Sequence, residues 1–491
     1  MFLTNSLRRM EKKIIVNWLV KANVCPGLFY GTPAQDGFLI RIRTPGGWLN
    51  SKQGALIAEL LKAWGSEALQ VTNRGNLQIR GVQNPPSLEV LQTLQNLGLA
   101  AFDPRIDHLR NIMASPTAGI DPQELIDTRP LVQKLDYFIQ NHPSIIELSP
   151  KFSIGIDGGG KVGIGTRSPI AWEHRYNEIQ LLAITIDDHI NSTSDLYFQL
   201  ALGGDKNLYH TSILIRLENC LSVVAALVKV YIDYVQQNPL QTGKKPRMKH
   251  LLKDWGVENY LEAVKAELEY PLNLIFDPEK TVLKTVNPLP SQPYAHLGIH
   301  PQRQAKLSYL GLSLKLGKLS ADQLLELVEI SETFGSGQLR LTPWQTILIP
   351  DIPNQKIPEL LPKLAPFGLS NSLVDAGIVA CAGKPGCAAA ATETQIHALI
   401  LADDLKEQLT LNSPVNIHLT GCDKLCAQPS PAEITLLGTI IEQNGKKVEG
   451  YQVYIGKGQD SLNHKVCEGK LVDILPLIKK VCVDLNKTKP E

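Results

Sequence analysis

Residues 47–84 and 317–354 align without a gap at a constant offset of 270, so the chain must fold as an internal duplication. Gly47, Leu49, Gln53, Glu59, Gly65, Ser66, Leu69, Thr72, Ile79 and Asn84 recur as Gly317, Leu319, Gln323, Glu329, Gly335, Ser336, Leu339, Thr342, Ile349 and Asn354. Hydrophobic patterning predicts the same elements twice. A strand (38–44; 307–314) leads to an amphipathic helix (52–64; 321–334), then to two short strands (68–72 and 77–82; 338–342 and 347–352). A further helix starts near Ser87 or Ile357. Strand–helix–strand–strand–helix is a ferredoxin-like α+β unit. A second segment type also repeats, with 111–116 opposite 377–382 and 151–158 roughly opposite 415–421. Between the halves, the proline-rich stretch 287–294 reads as an extended linker.

The copies diverge where cysteine appears. Cys381 and Cys387 form a C-x5-C pair, and Cys422 and Cys426 a C-x3-C pair. Ser115 stands opposite Cys381, and Gly159 falls near the Cys422 position, so the first copy lacks these thiols. Four thiolates from two short loops suit a 4Fe–4S cluster. Ala382, Gly383, Gly386 and Ala388 leave room for an inorganic core, and Gly421 lets backbone N–H groups turn toward sulfur. Structural zinc is a competing reading, although the x5 spacing is wide for it. Disulfides are another, disfavoured in a reducing compartment. Cys25, Cys220, Cys467 and Cys482 are scattered.

At 491 residues the chain exceeds one core, and two to four domains are expected. Forty-nine basic residues against 48 acidic ones give no bulk attraction to nucleic acid. The basic stretch 243–250 has no interleaved aromatic platform and reads as a solvated loop. Basic residues precede an apolar run at 14–20, but Asn17 interrupts it and no cleavage site follows, so no signal peptide is expected. No stretch approaches the apolar length of a membrane helix, and a cytoplasmic protein is expected. Gly158 to Gly163 satisfies G-x-G-x-x-G, yet turn residues and Pro169 follow instead of a helix. That stretch is read as a hairpin turn, and electrons are expected from a partner protein.

The duplicated unit, with C-x5-C and C-x3-C in one copy only, resembles the nitrite/sulfite reductase superfamily over roughly residues 25 to 440. Within it the chain is similar to the precorrin-3B synthases. The residues carrying that likeness are Cys25-Pro-Gly-Leu28 with Asp36-Gly37, the stretch 72–81, Leu109-Arg-Asn111 with Ser115-Pro116, Lys151-Phe152 with Asp157 to Gly159, and the stretch 418–427. The resemblance implies two ferredoxin-like half-domains and two cluster-type domains related by a pseudo-twofold axis. Residues 1–100 would hold an N-terminal extension and the first half-domain, and 101–285 a cluster-less reductase-type domain. The second half-domain would span 295–368, and 369–491 would carry the 4Fe–4S cluster.

The precorrin-3B synthase likeness implies a monooxygenase. It would use the cluster, a mononuclear non-haem iron, O2 and an external donor (ferredoxin or an NAD(P)H-linked reductase) to hydroxylate precorrin-3A and close a lactone in cobalamin biosynthesis. The alternative is a siroheme-dependent ferredoxin-nitrite or sulfite reductase, its haem hung from Cys426. Either tetrapyrrole is a polycarboxylate that needs converging guanidinium or ammonium groups. By resemblance Arg74, Arg110 and Lys151 line the cavity as catalytic and substrate-binding groups. Arg80, six residues beyond Arg74, joins them if no bulge intervenes. The second half has Trp344 and Ala376 at the positions of Arg74 and Arg110. Ser153 stands where reductases tend to carry a second basic residue. Candidate iron ligands are Asp107 with His108, the His296/His300 pair, and His418.

Overall fold

Asn50 and Ser320 open equivalent helices in the two copies by the same device. The Asn50 side chain accepts the Gln53 N–H at 2.9 Å while Gln53 Oε1 accepts the Asn50 N–H at 2.8 Å, and Ser320 and Gln323 repeat this at 3.1 and 3.0 Å. The computed structural model describes residues 26–167, 176–188, 193–203, 208–272, 284–286, 294–428, 431–443, 445–456 and 464–488. The N-terminal stretch 1–20, Cys25 and the linker residues 287–293 lie outside them. Among the described residues no helix is long and apolar enough to cross a membrane.

The first copy contains β1 (Thr32–Ala34), β2 (Gly37–Ile42), β3 (Trp48–Asn50), α1 (Ser51–Ala63), β4 (Leu69–Val71), β5 (Leu77–Val82) and α2 (Leu88–Asn96). The strand expected to reach residue 44 stops at Ile42. There the Thr44 N–H turns to the Asn76 side chain at 3.0 Å and its hydroxyl to the Gly75 carbonyl at 2.6 Å. In the β2–β5 ladder Phe38 faces Val82 while Ile40 faces Ile79, so Arg80 and Gly81 share a bulge opposite Leu39. Gly81, at φ 73, supplies the left-handed residue this bulge needs. Arg74 lies in the turn between β4 and β5 and not on a strand, so no strand period aims it and Arg80 alike.

Next come β6 (Ile112–Ala114), α3 (Arg129–Asn141), β7 (Ile154–Asp157), β8 (Ile179–Asp188), β9 (Thr193–Gly203), β10 (Leu208–Ile215), α4 (Cys220–Gln237), α5 (Met248–Ala266) and β11 (Lys284–Val286). The sheet order is β10-β9-β8-β7-β6, with β11 also pairing β8. Strands β6, β7 and β8 run parallel. The glycine-rich stretch after β7 is therefore a crossover and not the hairpin turn expected. Buried Asp157 curls it back, accepting the Gly159 N–H at 2.9 Å and pairing with Arg167 at 3.0 Å.

The second copy repeats the unit as β12 (Gly298–Pro301), β13 (Leu307–Leu312), β14 (Lys318–Leu319), α6 (Ala321–Phe334), β15 (Gln338–Leu341), β16 (Ile347–Pro353) and α7 (Ile357–Leu364). The two copies exchange their third strands. β3 pairs with β15, and β14 pairs with β4, giving sheets β1-β2-β5-β4-β14 and β12-β13-β16-β15-β3. One continuous apolar core lies under both, from Ile40 and Leu61 to Leu327 and Ile349. Helices α1 and α6 close on each other at Gly54, where a Cβ would sit 2.6 Å from Val328.

The final sheet, β17 (Ile378–Ala380), β18 (Ile417–Thr420), β19 (Ile434–Gln443), β20 (Lys446–Ile455) and β21 (Lys465–Gly469), keeps that strand order. It packs on α8 (Thr394–Gln408) and α9 (Leu471–Thr488). β17, β18 and β19 are parallel, as β6, β7 and β8 are. The expected duplicated α+β fold is the one observed.

Candidate functional site: a thiol-lined cavity

Neighbouring parallel strands send both cysteine loops off the same end of one sheet. β17 hands directly to Cys381, and β18 to Gly421 and Cys422. The Cys381 N–H bonds the Leu419 carbonyl at 3.1 Å, and the Gly421 N–H points at the Cys381 sulfur at 3.2 Å. Thr394 Oγ1 lies 3.5 Å from the same sulfur and donates to the Cys381 carbonyl at 2.9 Å. Such N–H···S contacts stabilise anionic sulfur. All four cysteines line one cavity of about 650 Å³. Burial, and then Cys422, Cys381 and Cys387, push the Cys426 thiol up. Gathering four negative sulfurs is costly unless a cationic core neutralises them, which is what an iron–sulfur cluster provides.

The seven described cysteines are all free, which removes the disulfide reading for them. Among the described residues no three His, Cys, Asp or Glu side chains stand close enough to hold one metal ion. The four thiols line one cavity without forming such a set, which favours a polynuclear core over a single zinc ion. The proposed mononuclear iron finds no ligand set either. Asp107 accepts the Ala101 N–H at 2.9 Å, His296 bonds the Thr346 hydroxyl at 2.6 Å, and His300 bonds the Leu297 carbonyl at 2.7 Å. His418 is buried within β18, where desolvation lowers its pKa to about 4.

The opposite wall comes from the first ferredoxin-like sheet. Leu39 and Arg41 on β2, Gln70 beside β14, and Gln78 and Arg80 on β5 face the thiols, joined by Thr72, Asn73 and Gln345. Arg41 donates to Gln78 Oε1 from Nε at 3.2 Å and from Nη2 at 3.0 Å. Sequence reasoning missed Arg41. The period of two along β2 could have found it, since it shares a face with Leu39.

The four basic residues expected to converge do not. Only Arg80 lines the thiol cavity, and its guanidinium is bonded to Asp36 and to the Gly386 carbonyl. Arg74 turns toward the first cluster-type domain, donating to Asn177 at 2.6 Å, Ser153 at 3.3 Å and the Tyr176 carbonyl at 2.9 Å. Arg110 is buried against Asp136 at 2.8 Å and lines a second cavity of about 680 Å³. Lys151 is exposed. Arg110 is where the physical mismatch is plainest: a short helical turn at Asp107–Leu109 directs it to α3, away from the thiols.

The first copy shows why it holds no cluster. Ser115 bonds the Val162 carbonyl and shares a hydrogen bond with Thr117 at 3.1 Å. Asp121 accepts the Val162 N–H at 3.2 Å and would meet a Cβ on Gly160 at 2.5 Å. The 115–126 loop corresponds in sequence to the loop that carries Cys381 and Cys387 in the second copy.

A duplicated ferredoxin-like frame with thiol loops in one half defines an iron–sulfur oxidoreductase. Comparison with known proteins narrows that class. The nitrite/sulfite reductase ferredoxin-like half domain matches residues 31–97 and 300–367, and the nitrite and sulphite reductase 4Fe-4S domain matches 106–272. That second match falls on the cluster-less copy. The chain belongs to the nitrite/sulfite reductase family. It is 31% identical to the ferredoxin-nitrite reductase of Synechococcus elongatus, covering 92% of this chain and 86% of that one. It is 30% identical to the chloroplastic ferredoxin-nitrite reductase of Arabidopsis thaliana (93% and 78% covered) and 26% identical to sulfite reductase [ferredoxin] 2 of Mycolicibacterium paratuberculosis (90% and 79%). The solved Mycobacterium tuberculosis NirA protein shares the fold at a TM-score of 0.72 and 22% identity, over 92% of this chain and 82% of that one. These relatives overturn the expected precorrin-3B synthase monooxygenase: they are named nitrite and sulfite reductases. The cobalamin pathway, O2 and the non-haem iron go with it.

Proposed function

We propose that the chain is a siroheme-dependent reductase that takes electrons from a ferredoxin and delivers them to nitrite. The observation that supports this reading is the cavity itself, with four thiols on one wall and Arg41, Gln70 and Gln78 on the other. Its volume falls within the several hundred Å³ typical of cofactor sites. Amide and guanidinium donors there suit a ring of carboxylates. Cys426, the most exposed thiol of the four, is the residue to share with the haem iron. When bound, siroheme supplies the open iron coordination position and the electron conduit that a multi-electron reduction needs.

The chain's own cations then favour an anionic substrate. Arg74, fixed by Asn177 and Ser153, supplies positive charge at the domain boundary. Ser153 is buried and neutral where a second base is usual, and Lys151 is exposed. Fewer cations suit monoanionic nitrite better than dianionic sulfite. No dinucleotide fingerprint competes with a protein donor, and ferredoxin is the donor that the relatives' names carry.

Protein purified without oxygen tests this. A siroheme absorption band with an iron–sulfur shoulder, and nitrite converted to ammonium with reduced ferredoxin faster than sulfite to sulfide, are expected. A cluster-only spectrum, or no nitrite consumption, would overturn the reading.

A further inference from the structure

Arg80 was expected to anchor substrate carboxylates, yet its donors face elsewhere. Nε and Nη2 each sit 3.0 Å from an oxygen of Asp36, and Nη2 also donates to the Gly386 carbonyl at 2.8 Å. Gly386 immediately precedes Cys387, so a cation from the first half grips the C-x5-C loop of the second. The fit at Gly386 is close. A Cβ at 386 would lie 3.0 Å from Arg80 Nη2 and 3.5 Å from Asp36 Oδ2. From its own sheet the same loop is held by Lys384, 3.1 Å from Glu449, whose other oxygen accepts the Glu393 N–H at 3.0 Å. Arg80 shares with Gln78, two residues earlier on β5, the face that lines the thiol cavity. In the second copy Pro350 occupies the Arg80 position, and the first copy, where Ser115 stands opposite Cys381, has no cysteine loop for such a residue to hold.

We infer that Arg80 and Asp36 form a charge-balanced clasp that positions the Cys387 loop and sets the reduction potential of the cluster bound there. A cluster carried by four thiolates is anionic and gains a further negative charge on reduction. Positive charge nearby therefore favours the reduced form, and negative charge the oxidised form. In the native pair the two nearly cancel. Removing Arg80 leaves the Asp36 carboxylate beside the loop and lowers the potential. Removing Asp36 leaves the guanidinium and raises it. Both residues act through the loop, so they are positioning residues and not catalytic ones. The inference rests on the cluster alone, not on siroheme or nitrite.

The test is a redox titration of the cluster signal in Arg80→Gln, Asp36→Asn and the double variant, each with iron and sulfide content measured. The single variants are expected to shift in opposite directions, each by about tenfold in the equilibrium constant for reduction, or about 59 mV. The double variant is expected to return to the native potential. Shifts of one sign in both single variants, or none with the cluster intact, would overturn the clasp. Should Arg80→Gln fail to hold its cluster, the other two variants decide: a rise in Asp36→Asn that the double variant abolishes supports the clasp, and any other result refutes it. The titration reads the cluster itself, so an enzyme inactive on nitrite would sink the functional reading and leave this one standing.

Discussion

Arg340 Nη1 donates to the Ala118 carbonyl at 2.8 Å, and to the Pro116 carbonyl at 3.0 Å, from a fully buried position. Gln70 holds the equivalent place in the first copy, where it lines the thiol cavity. One fold position thus serves two ends: a neutral amide lines the thiol cavity on one side, and a guanidinium ties down the 115–126 loop on the other. Burial, followed by nearby Arg129, lowers the Arg340 pKa to about 10, so it stays charged at neutral pH.

Arg340→Met removes the donor from two buried carbonyls and the cation from among Glu124, Asp127 and Asp351. Breaking such a buried charged site costs about 3–5 kcal/mol. Chemical denaturation should show that loss with the cluster still bound before unfolding. Stability within about 1 kcal/mol of native would show that the loop holds without Arg340.

The duplication and the cysteine loops were legible because each is local: a fixed offset, a short loop. The exchange of β3 and β14 was not, since a two- or three-residue strand pairs equally well with either sheet as far as its own sequence shows. Nor was the fate of Arg80, whose partners Asp36 and Gly386 lie far from it in sequence. Arg110 reads as a cavity residue by likeness but finds Asp136, twenty-six positions away on α3, a pairing that only tertiary packing reveals. The precorrin likeness leaned partly on Cys25, outside the described residues, and on short loops that whole-chain similarity outweighs.

That Arg110–Asp136 pair predicts a stability defect before a catalytic one. Arg110 is 3% exposed at its side chain and Asp136 16%, so Arg110→Ala strands a carboxylate and the Gly98 carbonyl. A loss of about 3–5 kcal/mol is expected. Asp136→Asn should lose less, because the amide oxygen still accepts one guanidinium N–H. Thermal unfolding of both variants checks the order. A stable Arg110→Ala protein with no turnover would return Arg110 to the list of substrate residues.

Cys387→Ser and Cys422→Ser each remove one thiolate from the quartet. Visible absorption and acid-labile sulfide should fall to background in both, whereas Cys467→Ser, far along β21, should leave them unchanged. Treating the native protein with an iron chelator under reducing conditions should reproduce the first spectrum. Retained cluster in Cys422→Ser would show that a different residue supplies the fourth ligand.

Glu124 gives the fold a pH dependence whose direction follows from its surroundings. Both of its oxygens accept the Gly119 N–H, at 2.8 and 2.9 Å, and Arg303 stands 3.6 Å away, contacts that favour the carboxylate. Burial outweighs them and raises its pKa from 4.5 to about 7. Between those values the folded chain binds the proton that the unfolded chain has released. The stabilisation is therefore whole below pH 4.5 and lost as pH rises through about 7. Its size is on the order of 3 kcal/mol at most, at 1.36 kcal/mol per unit. Glu124→Gln keeps an acceptor for Gly119 and has nothing to ionise. The variant should match the native protein near pH 4 and exceed it in stability at pH 8. Denaturation midpoints measured across that range decide the point, and a difference that stays constant with pH would place the titrating group elsewhere.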